Sequence, residues 1–134
     1  MKNKIFELYK PRSLADFLAF QVENPKETFV YVLQHPAPNI NILSASEFGY
    51  LVICLPKQDN IIYSSGPFVR KMQKNLQNFK PNDYILCLGD PSIIGLSTAV
   101  VSDNTNGQFN LLKWDRQEYK YYPLNIDLYQ KEEQ

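Results

Sequence analysis

Long apolar runs are missing from this chain. The most apolar stretches, FVYVL (29–33) and YLVICLP (50–56), stop far short of the roughly 20 residues a helix needs to span a bilayer, which excludes an integral membrane protein of that kind. No apolar segment follows the opening lysines either, since MKNKIFELYK reaches Glu7 at once, so a secretion leader is not expected. Charge of one sign is also missing: 14 basic residues stand against 14 acidic ones, and no global field draws the chain to nucleic acid or a membrane. Any such affinity must be local.

Residues that carry chemistry are scarce. The one histidine, His35, lies in QHPAPN with no carboxylate or thiol beside it and is expected to be a loop residue. The two cysteines, Cys54 and Cys87, sit inside apolar strand-like runs, where a reduced thiol behaves as a small hydrophobe. Two isolated cysteines lack metal-ligand spacing, and buried thiols make poor nucleophiles. No metal site, no catalytic residue and no particular cofactor is implied, and reduced cysteines point to a cytoplasmic protein.

What the chain does have is alternation of strand-like and helix-like segments, with aromatic residues making up a high 13% of the total. IFELY (5–9) reads as a short strand. Ser13 starts a helix over 13–24, with Leu14, Phe17, Leu18 and Val22 on one stripe and Ser13 and Asp16 spaced as a capping box. TFVYVL (28–33) is β-rich without a polar face, as a central strand would be. HPAPNINILSASEFG has no readable periodicity. YLVICLP and IIYSS (61–65) flank Lys57-Gln58-Asp59-Asn60 with hairpin spacing.

The second helix, over 68–79, places Phe68, Met72, Leu76 and Phe79 on one face and basic residues on the other. YILCL (84–88) is a further buried strand. PSIIGLSTAVVSDN (91–104) is a helix apolar around most of its surface, expected to be buried on more than one side, with Gly95 allowing close packing. Asn106-Gly107 marks a turn, and QFNLLKW and EYKYYPLNIDLY close the chain as paired strands around Asp115-Arg116-Gln117. The expectation is an α/β fold: a single domain over 1–129 with a mixed β-sheet of about six strands and three helices, and a frayed tail over 130–134.

Two junctions join a strand to a helix through Gly and Pro. In Gly89-Asp90-Pro91, proline suits the first helical position and Asp90 suits the N-cap, which accounts for the motif. The alternative is a ligand contact at Gly89, Asp90 and Ser92. A bare phosphate is disfavoured because the Asp90 carboxylate already takes the free N–H groups, and GDPSIIG matches neither G-x-G-x-x-G nor a P-loop. Ser65-Gly66-Pro67 lacks that carboxylate and has Arg70 and Lys71 one turn on, which makes Ser65, Gly66 and Arg70 the better anion candidates. The two junctions become one site only if strands 61–65 and 84–88 lie side by side.

Two surfaces could bind macromolecules. The basic helix face Arg70, Lys71 and Lys74 could track a nucleic-acid backbone. LKWDRQEYKYYP interleaves Lys113, Arg116 and Lys120 with Trp114, Tyr119, Tyr121 and Tyr122, a mixture that suits base stacking, a sheet edge or a homodimer interface; the interface or edge is preferred. The GDP-x-x-IG helix start and the LKWDRQE-x-x-Y-x-P ending, over residues 83–128, resemble small uncharacterised proteins of bacteriophages, marine ones in particular. The resemblance implies expression in an infected bacterial cytoplasm and brings no activity or catalytic residue with it. The leading expectation is therefore a small non-enzymatic phage-type binding protein that self-associates. A nucleic-acid-binding module is the second, and a nucleotide- or metal-dependent enzyme at the Gly-Pro turns the third. A membrane partner is not expected.

Overall fold

The computed structural model describes residues 4–57 and 65–130. In chain order the elements are β1 (Ile5–Glu7), α1 (Ser13–Glu23), β2 (Phe29–Gln34), a short 3-10 turn (Leu43–Glu47), β3 (Tyr50–Leu55), α2 (Gly66–Asn75), β4 (Tyr84–Leu86), α3 (Pro91–Asn104), β5 (Gln108–Asp115) and β6 (Lys120–Asp127). The six strands form one sheet in the order β1-β3-β2-β4-β5-β6. The first five are parallel, and β6 runs antiparallel to β5. This is the mixed α/β sheet with three helices that the alternation implied, counted among the described residues.

Strand β2 has no polar face because both its faces are covered. Phe29, Tyr31 and Leu33 point into the core that holds Phe17, Met72, Leu76, Ile93 and Val101, so all three helices pack on that side. Val30 and Val32 point into a second, smaller core with Leu51, Ile53, Leu86, Leu112 and Tyr121. No α-helix contributes to this second core. It is closed by residues 35–49, a strap whose Ile42 and Ala45 are buried there.

Handedness explains the asymmetry. The steps β1 to β2, β3 to β4 and β4 to β5 all move one way across the sheet, and each carries a helix. The step from β2 to β3 moves the opposite way, and a right-handed parallel crossover in that direction must pass over the other face. The proline-rich segment without periodicity is thus the covering of the second face.

Several sequence expectations are corrected. Ser13 is the first helical residue of α1 and not its cap: the cap position is Arg12, at φ 64° and with no side-chain cap bond, so the Ser13–Asp16 capping box does not form. The Ser13 N–H is already satisfied by the Lys10 carbonyl at 3.1 Å, which leaves the chain's own turn to start the helix. The buried stripe of α1 passes through Phe17 and Gln21, and Val22 is 76% exposed. Buried Gln21 donates to the Tyr31 hydroxyl at 3.1 Å. Helix α3 buries one face, Ile93, Ser97 and Val101, with Ile94, Leu96 and Val100 half covered. Gly95 is exposed and a Cβ there would meet nothing within 4 Å, so it is not a packing glycine.

The expected hairpin partner of YLVICLP, over 61–65, and most of its loop lie outside the described residues. Between Leu51 and Ile53, both edges of β3 are taken, by β1 and β2. Asn106 (φ 54°) and Gly107 (φ 78°) do form the expected turn, closing α3 with a Gly107 N–H to Ser102 carbonyl bond of 2.8 Å.

One buried carboxylate fastens the amino-terminal edge of the sheet. Asp83 is fully buried; its Oδ1 accepts the Phe29 N–H at 2.9 Å and its Oδ2 the Lys80 N–H at 2.9 Å, tying the turn before β4 to the start of β2. Burial raises its pKa from the ordinary 3.8 to about 6, against the pull of those two N–H groups and the Lys80 charge. The folded state therefore holds a proton that the unfolded chain has released, so the stability contributed by Asp83 is fully present below about pH 3.8 and is lost as pH rises from about 4 to about 6. Asn at position 83 keeps one acceptor oxygen and leaves one buried N–H unpaired. Asp83→Asn is expected to lower the unfolding free energy at pH 5 by about 1–3 kcal/mol and to flatten the slope over that window. Urea unfolding at a series of pH values checks both effects.

Candidate ligand cleft at the carboxyl edge of the sheet

The Gly89-Asp90-Pro91 junction is built as its sequence suggested. Asp90 is the N-cap of α3, its carboxylate accepting the Ser92 N–H at 2.8 Å, and Pro91 occupies the first turn. Gly89 stands at φ 113°, a conformation that only glycine adopts without strain. Its place is fixed by a contact from the neighbouring strand: the Asp90 N–H donates to Gln34 Oε1 at 3.1 Å, and a Cβ on Gly89 would come within 3.0 Å of that oxygen. Gln34 is the last residue of β2.

The second junction differs. Helix α2 begins at Gly66, one residue before the proline, and Ser65 offers its carbonyl to the Val69 N–H while its side chain caps nothing. Arg70 is exposed on the first turns of α2. Strand β4 has β2 on one side and β5 on the other, and the strand expected over 61–65 lies, but for Ser65, outside the described residues. Among the described residues, Ser65, Gly66 and Arg70 do not share an adjacent-strand site with Gly89, Asp90 and Ser92.

What opens next to Gly89 instead is the gap between β2 and β4. Chain leaving β2 turns back over one face, and chain leaving β4 turns forward over the other, so their carboxyl ends part; ligands of open α/β sheets lie at such points. A hollow of about 270 Å³ there is walled by Gln34, His35, Pro36, Ala37, Ile40, Lys57, Leu88 and Gly89. Ile40 and Leu88 also line a second hollow of about 350 Å³, completed by Asn39, Asn41, Trp114, Arg116 and Tyr121. The two form one cleft from the loop after β3 to the tip of the β5–β6 hairpin.

That cleft gathers residues which are scattered in the sequence. His35, expected as a plain loop residue, sits on its wall, with Nδ1 3.1 Å from the Pro36 carbonyl oxygen. The single tryptophan stands at the other end, its ring meeting Tyr121 edge-on at 4.9 Å between centroids. The Tyr121 hydroxyl donates to the Asn41 carbonyl at 2.8 Å, pinning the strap to the hairpin. The cations Lys57 and Arg116 lie on the walls, and none of the described lining residues is Asp or Glu. No local pattern in the sequence announced Asn39, Ile40, Asn41, Lys57 or Leu88, because only the reversal at β2 brings them together.

The hairpin residues divide between two faces. Trp114 and Tyr121 are directly opposed and face the strap, whereas Lys113 opposes Tyr122 and Leu111 opposes Leu124 on the helical face. Asp115 Oδ1 accepts the N–H groups of Gln117 at 2.8 Å and Glu118 at 3.3 Å, and Tyr119 at φ 53° ends the loop, 78% exposed. The basic residues of α2 lie elsewhere: Lys71 and Lys74 flank a hollow of about 370 Å³ with Leu8, Tyr9, Cys54 and Asn75 at the β1–β3 end. From β3 to β5 is three strand spacings, about 14 Å, so basic helix and aromatic hairpin do not make one continuous track. Cys54 and Cys87 are free thiols, on segments separated by β2, and burial raises the pKa of both. Among the described residues no group of three His, Cys, Asp or Glu side chains is placed to hold a metal ion, and no helix is long and apolar enough to cross a membrane.

Fold and cleft together define a small α/β protein with an open parallel sheet, helices on one face only, and a ligand-sized crevice at the strand reversal. Residues 28–128 match the family described as Phage Pam3 gp32-like protein, and the chain belongs to that family of phage proteins. The matched span begins one residue before β2 and runs through β6, so it holds the strap, the cleft and the hairpin, while β1 and α1 precede it. No curated protein and no solved structure matches the chain significantly.

The Gly89–Gln34 contact is testable through stability. Gly89→Ala is expected to lower the unfolding free energy by about 1–3 kcal/mol, from backbone strain at φ 113° and the close approach to Gln34. Asp90→Ala, which removes the cap alone, costs about 1 kcal/mol. Denaturant midpoints of the two variants measure the difference.

Proposed function

We propose that the protein works by binding, in the cytoplasm of an infected bacterium, and that it assembles with a second copy through the helical face of β6. One observation carries this. Tyr122 and Leu124 project from that face at alternate positions, with Leu128 just beyond, and stay open at 38%, 44% and 59% exposed, while Ile126, next on the same face, packs against the core. An apolar stripe on the outermost strand of a sheet is characteristic of an interaction surface.

The strand's own chemistry selects a copy of itself packed face to face. The Leu128 N–H donates to the Gly107 carbonyl, so by the two-residue alternation of antiparallel pairing Leu124 lies in a hydrogen-bonded pair and Pro123 does not. The missing N–H of Pro123 then faces the open edge and disfavours extension of the sheet strand by strand. Lys120 stands at one end of β6 and Asp127 at the other. Lys120 shares the face of the stripe, its Nζ 5.1 Å from the Tyr122 ring centroid, whereas Asp127 has the opposite parity and points to the other face; a two-fold axis near Leu124 lets the two stripes meet.

Analytical ultracentrifugation tests the assembly. The wild-type chain is expected to sediment as a dimer at micromolar concentration, and Leu124→Arg as a monomer with unchanged circular dichroism and a melting temperature within a few degrees, as expected for a surface substitution. A wild-type chain that remains monomeric at the highest attainable concentration overturns the proposal.

A further inference from the structure

We infer that the cleft at the carboxyl ends of β2, β4 and β5 is a binding site for a single nucleoside phosphate, with the base against Trp114 and the phosphate toward Lys57. The cleft and the assembly surface lie on opposite faces of the hairpin, since Trp114 and Tyr121 face the strap while Tyr122 and Leu124 face the helices. At the hairpin tip the two come close, since Trp114 and Arg116 also border a separate hollow with Tyr122 and Leu124.

Three properties of the cleft select this ligand class. The first is charge: among the described residues, Lys57 and Arg116 are the charged ones on its walls, and none of the lining is a carboxylate. An anion is favoured there, and Arg116 presents the planar donor fork that suits phosphate or a base edge. The second is shape and surface. Ile40 and Leu88 form an apolar floor shared by both hollows, and Trp114, half-buried and held edge-on by Tyr121, supplies an indole at one end. Planar bases stack on such rings whatever their identity. Asn39 adds an amide beside it, able to donate and accept at a base edge, and Asn41, whose Oδ1 already accepts the Leu43 N–H at 2.9 Å, adds a donor NH2.

The third property is size. Hollows of about 270 and 350 Å³ joined at Ile40 and Leu88 fall within the range of small-ligand sites, typically about 300–1,000 Å³, and fit one nucleotide. A strand of nucleic acid would need a continuing basic groove, and the basic face of α2 lies at the other end of the sheet. Only binding is inferred.

The sole tryptophan of the chain is Trp114, so its emission reads the site directly. The full chain is titrated with AMP, GMP, CMP and UMP, exciting at the red edge of tryptophan absorption, with adenosine, inorganic phosphate and a short oligothymidylate in parallel. At least one mononucleotide is expected to change the emission saturably, at least about tenfold more tightly than adenosine or phosphate alone, because base and charge contacts add. Lys57→Ala and Arg116→Ala, each folded by circular dichroism, should weaken that binding about tenfold, and Trp114→Phe, followed by calorimetry, by a similar factor. The inference is overturned if no mononucleotide gives a saturable response, if phosphate alone binds as well, if the oligonucleotide binds and the mononucleotides do not, or if Lys57→Ala and Arg116→Ala bind as the wild type does.

Discussion

The direction in which the chain leaves β2 determines most of what is distinctive here. Every other parallel connection carries the chain forward across the sheet with a helix on one face; this one carries it back, and the right-handedness of parallel crossovers sends it over the face that the helices do not cover. Two things follow. A segment with little regular structure has to close a hydrophobic face, which it does with Ile42 and Ala45 over Val30, Val32, Leu51 and Ile53. The carboxyl ends of β2 and β4, no longer bridged, part into a cleft.

The two sides of the sheet are consequently unequal in how they are held. On the helical side, rings of Phe6, Phe17, Phe20, Phe29 and Tyr50 interlock at centroid distances of 5.0 to 6.4 Å, and whole helical faces are buried. On the other side, a few side chains and the Tyr121–Asn41 hydrogen bond secure a strap whose only regular element is a single 3-10 turn. Segments with few buried apolar contacts open at low free-energy cost, and sites that must admit a ligand are built from them.

Much of this was legible in the sequence wherever local chemistry decides the outcome. The unbroken apolar run at 29–33 announced a strand buried on both faces and Asp90-Pro91 a capped helix start, while the Phe68–Met72–Leu76–Phe79 stripe named buried residues correctly although the helix expected over 68–79 spans Gly66–Asn75 and leaves Leu76 and Phe79 beyond its end. Strand order was not legible, because parallel neighbours are chosen by contacts between segments far apart in the chain. The cleft was hidden for the same reason: His35, Gly89 and Trp114 each belong to a different strand end. Local rules also misled where tertiary packing overrode them. Val22 carries the right hydrophobicity for the α1 stripe, yet the helix is rotated so that Gln21 meets Tyr31 and Val22 faces water. In LKWDRQEYKYYP the aromatic residues read as one surface, although the two-residue period of a strand already divides Tyr121 from Tyr122.

Tyr121 occupies an unusual position in this arrangement. Its ring walls the cleft, its hydroxyl anchors the strap, and its backbone lies beside that of Tyr122, whose side chain points to the opposite face. Neighbouring residues of one strand thus carry opposite duties: the pleat turns Tyr121 inward to close the strap side and leaves Tyr122 open on the helical side, so a one-residue slip of β6 against β5 would exchange the two and undo the anchoring of the strap.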